Sequence, residues 1–101
     1  MRNFSFDVTE AANLLSALSN PRRFQILVFV SEGEREVNAI ADWLGLSQSA
    51  VSQHLRRLRE VKAVQTRREA QQILYSLGSA GAEIIIRSVM QLSVSPRGAP
   101  A

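Results

Sequence analysis

The chain of 101 residues contains no cysteine and only one histidine, one tryptophan and one tyrosine. Without thiols there is no disulfide, no thiolate metal site and no redox switch. His54 alone cannot supply the imidazole sets that transition metals favour, so no metal and no cofactor is expected. No glycine-rich oxyanion loop accompanies it, which argues against a hydrolytic site built with Ser49 or Asp42, and the chain reads as no enzyme. Long apolar runs are missing as well. Nothing approaches the length of a membrane span, and Met1 to Asp7 lacks the apolar core of a signal peptide, so a cytoplasmic protein with no membrane partner is expected. Lysine is nearly absent, because eleven of the twelve basic residues are arginine, whose planar fork suits phosphate.

What is present is apolar enough to fold. At 46% hydrophobic residues the chain is no disordered basic tail, yet one domain of this size buries a modest core, and a second copy is the natural source of further stability. The formal net charge of +3 is small, so its distribution decides. Arg56, Arg57, Arg59, Lys62, Arg67 and Arg68 crowd together against Glu60 alone, leaving the remainder slightly acidic. A basic patch on an acidic body fits a polyanion.

Local signals divide the chain cleanly. Asp7 and Glu10 have capping-box spacing ahead of the helical apolar series Val8, Ala11, Leu14, Leu15 and Leu18. Asn20 before Pro21 opens a second helix running towards Gly33. Val37, Ile40, Ala41 and Leu44 mark a short third helix that Gly45 can end in a left-handed conformation, and Ser47 can cap the next. Two helices joined so tightly describe a helix-turn-helix. After Lys62 the apolar period falls to two, through Val64 and Thr66 and then Ile73, Tyr75 and Leu77, which predicts a β-hairpin. Its tip around Glu69, Ala70 and Gln71 lacks glycine, so a looser loop is expected there instead of a two-residue turn. Ser79 then caps a last helix carrying Ile84, Ile85, Ile86, Val89, Met90 and Leu92. The expected organisation is a flexible stretch over 1–6, a folded domain over 7–92 and a disordered tail over 93–101.

The fourth helix carries the sharpest signal. At about 100° per residue, Val51, Leu55 and Leu58 share a narrow stripe, whereas Ser49, Ser52, Gln53 and Arg56 point the other way. Lysine, glutamate and alanine would make a better plain solvated surface, but short amides and hydroxyls suit base edges. Gln48, Ser49, Ser52 and Gln53 are therefore the candidate base readers. Ser47, His54, Arg56, Arg57, Arg59, Arg67 and Arg68 are the candidate phosphate and wing contacts.

Three strings, Leu18 to Leu27, Leu44 to Leu55 and Arg67-Arg68 through Tyr75-Ser76-Leu77, stand in an order and spacing that resemble the ArsR/SmtB family of winged helix-turn-helix repressors. The resemblance covers residues 8 to 92. It implies a mainly α fold with a small β-hairpin wing, in the order of four helices, hairpin and closing helix. It also implies a homodimer that docks two recognition helices on double-stranded DNA at a near-palindromic operator. The first and last helices would form the dimer interface, through Leu14, Leu15, Leu18, Ile85, Val89 and Leu92. Three isoleucines in a row at 84 to 86 cannot all face one small core, so an apolar patch needs a cover. Where many relatives carry a Cys-x-Cys metal site, this chain reads Asn38-Ala39-Ile40-Ala41-Asp42, and its last helix offers only Glu83 as a ligand. It more nearly resembles the metal-ligand-free, NolR-like branch.

Other readings compete at single positions. Trp43 is read as core filling. Arg67 and Arg68 could guard an edge strand against aggregation, and Arg22 and Arg23 oppose a helix dipole, a cost that hints at an acidic partner. The winged scaffold could instead serve as an adaptor or antitoxin-like module for another protein. RNA binding is weaker, since duplex RNA hides its major groove and few aromatics remain for stacking.

Overall fold

The computed structural model describes residues 5–92; most of the stretch over 1–6 and the whole tail over 93–101 lie outside the described residues. Among the described residues five helices and a small sheet follow in the order α1 (Val8–Leu18), α2 (Pro21–Ser31), β1 (Arg35–Glu36), α3 (Val37–Leu44), α4 (Gln48–Glu60), β2 (Val64–Glu69), β3 (Gln72–Leu77) and α5 (Ala80–Leu92).

The caps read from sequence are made. The Glu10 amide donates to Asp7, the Arg22 and Arg23 amides to Asn20, the Ala50 amide to Ser47 and the Ala82 amide to Ser79, each satisfying an orphan donor of a first helical turn. Gly45 ends α3 at φ 68°, and the Leu46 amide returns to the Ala41 carbonyl at 3.0 Å. That closes the turn between α3 and α4 in three residues.

One core holds the elements together. Ile26 and Leu27 of α2, Ile40 of α3, Val51, Leu55 and Leu58 of α4, Val64 of β2 and Ile86 of α5 are buried in a single cluster. Each such side chain contributes about 1.5–3 kcal/mol relative to exposure. Among the described residues no helix is long and apolar enough to cross a membrane.

The sheet departs from the sequence reading in two ways. A third strand, β1, pairs antiparallel with β3, so the order is β1-β3-β2 with β3 central. Two residues with no apolar alternation gave no signal for it. The wing tip is also tight: Glu69 pairs with Gln72, leaving a two-residue connection in which Ala70 takes φ 56°. The looser loop is thus corrected. Ladder pairing up to the tip outweighs the cost of a side chain in left-handed backbone. Ile73, one of the period-two apolar residues, lies beyond the core near this tip and is exposed.

Trp43 is a further correction. It is 51% exposed and stacks on Phe29 with ring centroids 4.3 Å apart, while the Arg35 guanidinium covers Phe29 at 4.2 Å. Phe29 packs against the core and the indole lies on its outer face, so Trp43 roofs the core instead of filling it.

Candidate nucleic-acid interface

Burial along α4 alternates as the helical wheel requires. Val51, Leu55 and Leu58 are buried, and Gln48, Ser49, Ser52, Gln53, Arg56 and Arg59 are exposed. The buried stripe fixes the rotation of the helix, and the Ser47 cap with the Gly45 turn fixes its start. All four candidate base readers therefore lie on one surface of a rigid rod.

The two flanks of α4 differ. On the wing side, an open cleft of about 550 Å³ is lined by Ser52, Arg56, Arg59, Glu60 and Tyr75. Tyr75, read from the sequence only as part of the hairpin's period-two series and not as a site residue, brings a phenol into the candidate site. On the other side, Arg57 pairs with Glu60 at 3.6 Å and lines a groove against α1 together with Asp7, Glu10 and Lys62. Arg57 is thereby turned from the wing cleft.

His54 is partly buried on the α2 side. Burial first, and then the charges of Arg23 and Arg22, hold its imidazole below the ordinary 6.5, so at neutral pH it offers a hydrogen-bonding group and no charge. Arg22 is exposed, and its guanidinium donates to Gln25 at 3.3 Å. Arg23 has a local purpose. Its Nε donates to the Ala17 carbonyl at 2.6 Å, satisfying an acceptor in the last turn of α1, which explains a cation at a helix N-terminus without invoking an acidic partner.

The wing arginines are treated unequally. Among the described residues Arg68 makes no ion pair, whereas Arg67 is gripped by Glu34 through two hydrogen bonds of 2.8 Å and by Glu69 at 2.7 Å. These carboxylates, Glu34 foremost, raise the guanidinium pKa above its ordinary value. Arg67 therefore stands as an ion-pair partner and not as a free cation.

The candidate dimer residues also separate. Leu15 is 59% and Leu92 is 87% exposed, and Val89 is exposed as well. Leu14 and Ile85 are half-buried against the core. Leu18 is spent within the protomer's own core, since the last turn of α1 packs inward. Ile84, 65% exposed, and Met90 extend the apolar surface of α5.

Residues 20–65 match the bacterial regulatory protein, arsR family. The chain is 42% identical over 83 residues to the transcriptional activator HlyU of Vibrio cholerae, covering 82% of this chain and 77% of that one. The chain belongs to the ArsR family of bacterial regulatory proteins. It is 51% identical over 73 residues to the nodulation protein NolR of Rhizobium meliloti, covering 72% of this chain and 60% of that relative. The solved structure of V. cholerae HlyU superposes with a TM-score of 0.82 at 39% identity, covering 89% of this chain and 98% of that one. A homodimeric winged helix-turn-helix DNA-binding domain from Mycobacterium bovis superposes with a TM-score of 0.81 at 30% identity, covering 85% and 80%. This ArsR-family protein is thus a transcriptional regulator on a winged helix-turn-helix scaffold and not an enzyme, as the three sequence strings imply.

Proposed function

We propose that this regulator is a cytoplasmic homodimer that binds double-stranded DNA at a near-palindromic operator and represses by excluding polymerase. Gln48, Ser49, Ser52 and Gln53 read base edges in the major groove. Arg56, Arg59 and Arg68 hold phosphates, with Ser47, His54 and Arg57 as neighbouring backbone contacts. The observation that carries this reading is the exposed polar rim of α4, rigidly capped and bordered by the arginine cleft. A second copy covers the apolar surface of Leu15, Ile84, Val89 and Leu92, as the homodimeric relative supports. Two-fold symmetry then sets the half-sites about one helical turn, roughly 34 Å, apart.

The test is selection of bound duplexes from a random pool, followed by titration of a winner at several salt concentrations. The expected outcome is a two-fold symmetric sequence and a log–log slope of about −0.9 per phosphate contact. A slope near zero, or sedimentation as a monomer, would favour an adaptor for another protein. HlyU is named an activator, which favours activation as a second reading; a reporter with the selected site moved across the promoter separates the two.

A further inference from the structure

The sheet register sorts the wing's side chains onto two faces. Arg67 stands opposite Leu74, which stands opposite Glu36, and Gln65 stands opposite Ser76; residues paired directly across strands share a face. Arg68, one position on, belongs to the other face with Thr66, Tyr75 and buried Val64. Tyr75 on that face lines the cleft beside α4. Arg68 thus shares the face that meets the recognition helix, and Arg67 points the opposite way.

On its own face Arg67 meets carboxylates. Its Nε and one terminal nitrogen donate to the two oxygens of Glu34, and the same terminal nitrogen also donates to Glu69. Two carboxylates around one guanidinium leave this spot net negative, the wrong sign for a phosphate. Glu34 lies in the turn between α2 and β1, 33 residues away. Among the described residues every other ion pair joins groups four positions apart or fewer, so this is the charged link between the helical body and the hairpin. A second tie runs alongside it, from the Gln72 amide to Glu36 at 3.1 Å. Exposed ion pairs contribute little on average, but a two-pronged Arg–carboxylate fork fixes direction as well as distance.

We propose that Glu34 and Arg67 form a strut that sets the angle of the wing to α4, making both of them positioning residues for DNA binding, while Arg68 alone delivers the wing's phosphate contact. The proposal rests on the DNA-binding reading above. It adds Glu34, an acidic residue remote from the recognition helix, to the functional set, and it removes Arg67 from the direct contacts.

The experiment compares wild type, Glu34→Gln, Arg67→Met, the exchanged pair Glu34→Arg with Arg67→Glu, and Arg68→Gln. Each full-length dimer is titrated with a fluorescent duplex selected by the wild-type protein, over a range of salt concentrations. A strut predicts that Glu34→Gln and Arg67→Met each weaken binding by roughly two- to fivefold and that the exchanged pair restores it, whereas Arg68→Gln flattens the salt slope by about 0.9 per protomer. Unchanged melting temperatures would separate positioning from simple loss of fold. The proposal is overturned if Glu34→Gln binds as tightly as wild type or tighter while Arg67→Met flattens the slope, because Arg67 would then be a direct phosphate contact. Failure of the exchange to restore binding overturns it too. Amide hydrogen exchange over residues 64–77 of the free protein gives a readout independent of DNA. Faster exchange in both single variants supports the strut even if wild type ignores the duplex, an outcome that would sink the DNA-binding reading instead; unchanged exchange counts against the strut.

Discussion

The two ends of α4 handle left-handed backbone in opposite ways. At the entrance, Gly45 takes φ 68° with no side chain to strain. At the exit, Lys62 takes φ 63°, and at the wing tip Ala70 takes φ 56°; each costs about 1–2 kcal/mol relative to glycine geometry. The helix-turn-helix is therefore shaped by local chemistry that needs no help. The wing is held in a conformation its own residues resist, by a ladder, a neighbouring strand and the Glu34–Arg67 fork. The lesson is mechanical: the reading helix is set rigidly, and the wing is set by contacts that reach it from elsewhere.

Breaking the anchored half has the largest effect. Leu55→Ala empties a buried site beneath α4, and chemical denaturation at fixed protein concentration should show a loss of about 2–5 kcal/mol. The junction that seats the wing comes next. A Cβ on Gly78 would lie 2.3 Å from the Lys62 carbonyl oxygen, so Gly78→Ala should cost about 1–3 kcal/mol by the same measurement.

The two turns themselves sharpen the contrast. Nothing lies within 4 Å of a Cβ placed on Gly45, so Gly45→Ala isolates the backbone cost: strain of about 1–2 kcal/mol, offset by about 0.4–1 kcal/mol of unfolded-state entropy, leaves a loss of about 0.5 kcal/mol. Ala70→Gly should do the reverse. Relief of the same strain, offset by about 0.4–1 kcal/mol of unfolded-state entropy, leaves a gain of about 0.5 kcal/mol. A loss at Ala70→Gly would mean that the wing turn is not strained.

The smallest effect is a pH dependence confined to the wing. The hydrogen bonds from Arg67 hold the Glu34 carboxyl below its ordinary 4.5; slight desolvation opposes this, and the Arg67 charge adds to it. A depressed carboxylate stabilises above its unfolded value and loses that contribution as pH falls through the lower folded value. Protection of the β2 and β3 amides, taken as the exchange rate relative to the intrinsic rate at each pH, should therefore be unchanged across neutral pH and fall only below the ordinary carboxylate range, with the effect missing in Glu34→Gln.

The same division governs what the sequence discloses. The starts of α1, α2, α4 and α5 are legible, because Asp7, Asn20, Ser47 and Ser79 act within three residues of themselves, whereas α3 follows Glu36 with no side-chain cap; the stripe of Val51, Leu55 and Leu58 follows from periodicity. The wing hid more. β1 is defined by its partner strand, the turn at Ala70 by the pairing of Glu69 with Gln72, and the state of Arg67 by a carboxylate 33 residues away. Trp43 and Leu18 show a related gap: period places a residue on a face, but only the extent of the neighbouring elements decides whether that face is covered. Tyr75 joins the cleft because β3 runs beside β2, which packs on α4, a tertiary fact that alternation cannot express.

The central claim is that the exposed rim of α4 is the surface that reads DNA. Amide shift mapping of the isotope-labelled dimer, titrated with a duplex selected from a random pool, tests it most directly. The account predicts the largest shifts at residues 47–57, with a second set at Arg68 and Tyr75. Saturable binding that leaves residues 47–57 unshifted would contradict it.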